Sequence, residues 1–224
     1  MLELKDISFS YGKRKILEKL SFTAQAGECV VLAGPNGSGK TTALSILAEV
    51  LRPDSGTVEV NGAVGFAPQG CALFEDMTVR DNLRFFAALK KCAVPENLPF
   101  GVERYLNKRV SKLSGGMKKQ VSIACALLGD PQVILLDEPC ESLDVQYRAE
   151  LAALIGTCKA RGCTVVYVGH EPMEFAPFYD RLIFFGKGYT AYTREQLSGN
   201  PADESRLCKQ FTDLFKVREE KRHE

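Results

Sequence analysis

A chain of 224 residues, 45% of them apolar, is long enough to bury a sizeable core as one domain with a small subdomain. Its 29 basic and 28 acidic residues nearly cancel, which argues against the basic excess of a nucleic-acid binder, so no nucleic-acid partner is expected. No apolar run approaches membrane-spanning length, and Met1-Leu2-Glu3-Leu4-Lys5-Asp6 lacks the basic start and apolar core of a secretory leader. Any membrane role is therefore expected to come through a partner. The 8 cysteines form no C-x-x-C pair and several lie in apolar runs, so they read as reduced thiols in a reducing compartment.

In chain order, residues 2–33 and 55–67 read as strand-rich, with alternation in Leu2-Glu3-Leu4-Lys5 and Thr57-Val58-Glu59-Val60. Cys29-Val30-Val31-Leu32-Ala33 is a short apolar run of the kind a buried strand shows, and residues 42–48 read as the first turns of a helix. Between them lies Gly34-Pro35-Asn36-Gly37-Ser38-Gly39-Lys40-Thr41, which fits the phosphate-loop pattern G-x-x-x-x-G-K-[ST]. Glycines let the backbone curl so that successive N–H groups face phosphate oxygens, and a helix N-terminus adds partial positive charge. Lys40 is expected to reach the β- and γ-phosphates and the Thr41 hydroxyl to ligate Mg2+.

Residues 78–91 carry Val79, Leu83, Phe86 and Leu89 at helical spacing behind a threonine cap, after which Pro95, Pro99 and Gly101 interrupt the pattern. Leu113-Ser114-Gly115-Gly116-Met117 then offers a hydroxyl, bare amides and a helix dipole, a second anion-binding nest. Val133-Ile134-Leu135-Leu136-Asp137-Glu138 reads as a central parallel strand with carboxylates at its carboxyl end, where such sheets bind ligands. Asp137 is expected to hold Mg2+, directly or through water, and Glu138 to polarise an attacking water. From residue 201, Leu207, Phe211, Leu214 and Phe215 at helical spacing suggest a helix folding back on the domain, ahead of a mixed-charge terminus.

These motifs, in this order, resemble ABC ATPases over residues 2–192; Leu113 to Met117 is close to the family signature Leu-Ser-Gly-Gly-Gln, and 118–124 to its signature helix. The resemblance implies an α/β fold: a P-loop NTPase core with a mainly parallel sheet, an N-terminal antiparallel β-subdomain and a short inserted α-helical subdomain. Catalytic core and β-subdomain would occupy about 1–69 and 129–192, the insert about 70–128, and a helical tail about 193–224. It also implies that Tyr11 stacks on adenine, with the loop 34–42, Thr42 included, around the phosphates of ATP. Gln69 would reach Mg2+ or the lytic water, and Glu141-Ser142-Leu143-Asp144 would cross a dimer interface. His170 would contact the γ-phosphate, while Ser114, Gly115 and Gly116 would cap the ATP held by a second subunit.

Implied partners are a second ABC ATPase, identical or related, paired head to tail, and an integral-membrane transporter subunit docking near Gln69 and the insert. The location would be cytoplasmic, on the inner face of the cell membrane. Met117 with two lysines after it resembles the drug- and lipid-exporting branch. Departures from the common pattern are Met117, Cys125 and Cys140-Glu141, none of which removes a group expected on phosphate or metal. Cys140, near Glu138, suggests sensitivity to thiol oxidation. A soluble ABC ATPase in iron–sulfur assembly remains the alternative; intact Glu138 and His170 disfavour a regulatory subunit that binds ATP without hydrolysing it.

Overall fold

The computed structural model describes residues 1–140, 145–198 and 209–211. Alternating burial along Leu2–Tyr11 (β1) and Arg14–Ala24 (β2) turns one face of an antiparallel hairpin inward, with Leu2 opposite Ala24 and Tyr11 opposite Arg14. Cys29–Ala33 (β3) is buried throughout, as expected of a strand covered on both faces, and passes through the glycine-rich loop into Lys40–Leu47 (α1). Ser55–Val60 (β4) returns to pair antiparallel with β1, completing a sheet of order β2-β1-β4. Val64–Ala67 (β5), although part of the same strand-rich stretch, joins the other sheet.

The insert opens at Thr78, whose side chain accepts from the Asp81 N–H and caps Val79–Leu89 (α2). Val79 and Leu83 are buried and Phe86 is half-buried, but Leu89 is exposed; Ala87 takes the inward place at the end of the helix. The proline-interrupted stretch becomes a kinked 3₁₀ segment over Pro99–Tyr105, followed by Gly115–Leu127 (α3). These pieces enclose their own apolar cluster, with Val79, Leu83, Val102, Val110, Val121 and Ala124 at its centre. Cys125 lies in that cluster, and Lys90 Nζ donates to the carbonyls of Cys125, Ala126 and Leu128 at the C-terminal end of α3.

Val133–Asp137 (β6), Val145–Ala160 (α4), Thr164–Val168 (β7), Pro172–Phe175 (α5), Arg181–Phe185 (β8), Tyr189–Thr193 (β9) and Arg194–Ser198 (α6) complete the described chain. The second sheet has the order β5-β6-β7-β3-β8-β9, parallel except for β9. Val30 and Leu32 of β3 face the layer of β1 and α1, whereas Val31 and Ala33 face α4. Each aliphatic side chain fully buried in this way contributes roughly 1.5–3 kcal/mol. Phe211 packs edge-on to Phe175 and Phe184, so this part of the expected tail does fold back; Leu207, Leu214 and Phe215 lie outside the described residues.

The strand order has a direct chemical consequence. β5, β6, β7 and β3 are neighbours running the same way, so Gln69, Glu138, His170 and the loop 34–39 all follow carboxyl ends at one edge of the sheet.

Candidate functional site

An open cleft of about 690 Å³ runs along that edge. Tyr11, Asn36, Gly37, Gly39, Lys40, Thr41, Thr42, Gln69, Glu138 and His170 all line it. The loop is held tightly from behind. A Cβ on Gly34 (φ +146°) would lie 2.3 Å from the Phe185 carbonyl oxygen, and one on Gly39 (φ +101°) would lie 2.7 Å from Leu17 Cδ2. Lys40 is 5% exposed, and its Nζ donates to the carbonyls of Gly34 at 2.9 Å and Pro35 at 3.0 Å. Burial lowers its pKa, opposed by the negative fields of Glu138 and Asp137. The buried Ser38 Oγ has no hydrogen-bond partner among the described residues, as suits a group placed for an oxygen-rich ligand.

Thr41 Oγ1 donates to Asp137 Oδ1 at 3.2 Å, joining the start of α1 to the end of β6. Asp137 is 1% exposed, and its other carboxylate oxygen has no hydrogen-bond partner among the described residues. Burial raises its pKa; the Thr41 hydrogen bond and the fields of Lys119 and Lys40 oppose that rise, and Glu138 adds to it. A buried carboxylate oxygen without a donor, beside a threonine hydroxyl, fits a hard cation such as Mg2+, which takes few protein ligands and completes its shell with phosphate and water.

Glu138 stands at φ +48°, in the left-handed region, with its N–H bonded to Val168 O at 3.1 Å. This turn aims the carboxylate into the cleft between flanking groups. Gln69 Nε2 donates to Oε2 at 2.8 Å, and His170 Nε2 lies against Oε1. The glutamine, carboxylate and imidazole that the sequence placed 69 and 32 residues apart thus form one contact set. Tyr11 is 55% exposed at the cleft mouth, held edge-on against Phe9 at 4.9 Å, which leaves a ring face accessible.

Ser114, Gly115 and Gly116 are not among the residues lining the cleft. They begin α3, where Ser114 Oγ accepts from Met117 N at 3.2 Å and both Ser114 and Gly115 are exposed. Residues 141–144, with the Glu141 departure, lie outside the described residues. The Cys140 expectation is corrected: its thiol is 1% exposed, and burial pushes its pKa up to about 11, the opposite of a reactive thiolate. The 7 described cysteines are all free thiols.

Several cleft residues were not anticipated. Arg14 and Ile16 enter because β2 begins beside Tyr11, while Glu171 follows His170 directly. Arg148 of α4 pairs with Glu171 at 3.1 Å, and its field also opposes the burial that raises the pKa of Glu174. Proximity to Tyr11 and His170 was the available signal for the first three. Arg148 and Glu174 carried none, because their roles arise from tertiary packing.

A glycine-rich strand–loop–helix cradle facing an acidic strand end at one edge of a parallel sheet defines a P-loop nucleoside triphosphatase. Residues 17–141 match the family described as ABC transporter. The chain belongs to that family and is one of its ATPases. It is 37% identical over 207 residues to Nod factor export ATP-binding protein I of Paraburkholderia xenovorans, covering 84% of this chain and 68% of that one. The namesake from Mesorhizobium japonicum is 35% identical over 207 residues, covering 84% of this chain and 61% of that one. Among solved structures, an ATP-binding subunit of an ABC transporter superposes with a TM-score of 0.82 at 26% identity, over 95% of this chain and 99% of that one. The dimeric post-hydrolysis state of the cassette MJ0796 bound to ADP and Pi gives 0.76 at 25%, over 86% and 98%. Among the described residues no helix is long and apolar enough to cross a membrane.

Proposed function

We propose that this chain is the ATP-hydrolysing subunit of an exporter, pairing head to tail with a second ABC ATPase around two MgATP. One observation carries the reading: the cleft has a cradle, the Glu138 carboxylate and a histidine, yet the second anion nest at Ser114–Gly116 stands outside it, with Ser114 and Gly115 exposed. An exposed anion nest that does not line its own chain's phosphate cleft is suited to the phosphates of another subunit. The dimeric MJ0796 cassette and the export relatives support the same assignment.

In this mechanism Tyr11 offers its ring face to the base, and the loop 34–42 turns its amides to the phosphates. Lys40 neutralises phosphate charge. Thr41 and Asp137 would hold Mg2+, with Gln69 lining the same cleft, and the bound cation would supply neutralisation of phosphate charge. Glu138, flanked by Gln69 and His170, orients and polarises the attacking water.

The separate apolar cluster of the insert supports dividing the chain into a core (about 1–69 and 129–192), an insert (about 70–128) and a tail (about 193–224). Phe74, Met77 and Phe85 are exposed on that insert, and Phe74 and Phe85 meet edge to face at 4.8 Å. Such an apolar patch after Gln69 suits the docking of an integral-membrane subunit, with the chain on the cytoplasmic, inner face of the cell membrane. Affinity purification of tagged Glu138→Gln protein from gently solubilised membranes tests this. A stoichiometric polytopic membrane protein is expected; recovery only with soluble partners would replace the exporter reading with an assembly-factor one.

A further inference from the structure

The first turns of α3 reach back into the catalytic core through one side chain. Lys119 is 6% exposed, and its Nζ donates to the main-chain carbonyl of Gln69 at 2.8 Å. Burying an ammonium is costly unless it is paired and hydrogen-bonded. The compensation here is the Gln69 carbonyl together with the negative field of Asp137. The neighbouring Lys118 meets the Glu75 carboxylate on the exposed side of the same loop. Consecutive lysines of α3 therefore hold both ends of the segment 69–75.

We propose that Lys119 is a positioning residue that fixes the Gln69 backbone to the signature helix, so that the Gln69 amide meets Glu138 only when α3 is in register with the core. The inference rests on the assignment of Gln69 and Glu138 to hydrolysis. Its physical basis is that the Gln69 carbonyl and side chain belong to one residue. A shift of α3 by about 1 Å moves the carbonyl and hence the amide Nε2 that now lies 2.8 Å from Glu138, and a misplacement of that size costs up to about a hundredfold in rate. Closure of a second subunit on Ser114 is thereby felt at Gln69 through α3.

The test is a double-mutant cycle on the full chain, combined with amide hydrogen exchange. Lys119→Met, which keeps most of the apolar stem and removes the ammonium, is expected to lower kcat about tenfold with KM for ATP changed by less than about twofold. In a Gln69→Ala background the same substitution is expected to add less than about twofold, because both act through one contact. Falls in kcat that multiply would overturn the proposal. Independently of turnover, the amides of Cys71, Leu73 and Phe74 are expected to exchange about tenfold faster in Lys119→Met while residues 40–47 stay unchanged. Unchanged exchange at 71–74 would also overturn it. If Lys119→Met does not fold, Lys119→Gln, neutral, polar and of the same reach as Met, carries the same expectations. Unaltered kcat in Gln69→Ala alone would refute the hydrolytic assignment of Gln69, and the exchange measurement would still decide the tether.

Discussion

The chain contains two glycine-rich turns at helix starts, 34–41 and 114–117, and their surroundings are opposite. In the first, Gly34 and Gly39 have no room for a Cβ, since a carbonyl oxygen and a leucine methyl stand within 2.3 Å and 2.7 Å. In the second, a Cβ on Gly115 would meet nothing within 4 Å. One turn is clamped against the sheet and completes a cleft with groups of its own chain. The other is capped by Ser114 and presented outward. Under the proposed function, similar local chemistry would thus serve the chain's own nucleotide in one place and a second subunit's phosphates in the other.

The largest effect expected from breaking this arrangement is at Glu138. Glu138→Gln keeps the shape and loses the charge that faces Gln69 and His170, so hydrolysis should fall by about a thousandfold or more while ATP binding persists. Light scattering should then show an ATP-dependent dimer. Turnover close to wild type would remove Glu138 from its role. Next comes Lys40→Ala, which takes a buried cation from the cradle and should weaken ATP binding by about tenfold to a hundredfold in titration calorimetry. Unchanged affinity would contradict the cradle.

A matched glycine pair sharpens the comparison directly. Gly34→Ala forces a Cβ onto the Phe185 backbone and should destabilise the chain by about 1–3 kcal/mol. Gly115→Ala has open space and should change stability by less than about 0.5 kcal/mol; under the proposed pairing it should nonetheless reduce hydrolysis, because its Cβ would obstruct the partner's phosphate. Equal stability losses in thermal unfolding would show that the second turn is also structurally clamped.

Legibility in the sequence followed the same division between local pattern and tertiary contact. The loop 34–41, the strands ending at Ala33 and Asp137, the Thr78 cap and the helix start at 114–117 were readable because each rests on neighbouring residues. The contact of Gln69 and His170 with Glu138 was reachable only through the resemblance, because it depends on β5, β6 and β7 lying side by side. Lys119, Arg148 and Glu174 were invisible: nothing in a run such as Met117-Lys118-Lys119-Gln120 says which lysine is buried. Leu89 shows the converse, since helical spacing suggested burial and the end of α2 turned it outward. The oxidation-sensitive reading of Cys140 failed similarly, because nearness to Glu138 in sequence is not exposure.

The smallest expected effect concerns the charge held behind the first turn. Burial raises the folded pKa of Asp137, so its stabilising contribution is fully present below the unfolded value near 3.8 and is lost as pH rises through the raised folded value. At neutral pH without metal, the ionised carboxylate is therefore a net cost, increased by Glu138 beside it. Asp137→Asn keeps an acceptor for Thr41 and removes that charge. The metal-free variant should melt roughly 2–4 °C above the parent at pH 7, the response of a domain this size to about 1 kcal/mol. The difference should shrink as pH is lowered through the raised pKa of the parent carboxyl, where it gains its proton. Added Mg2+ with nucleotide should stabilise the parent more than the variant, reversing the order. A variant less stable than the parent without metal would mean that Lys40 and Lys119 already compensate the buried charge, and the site would then be balanced before any cation arrives.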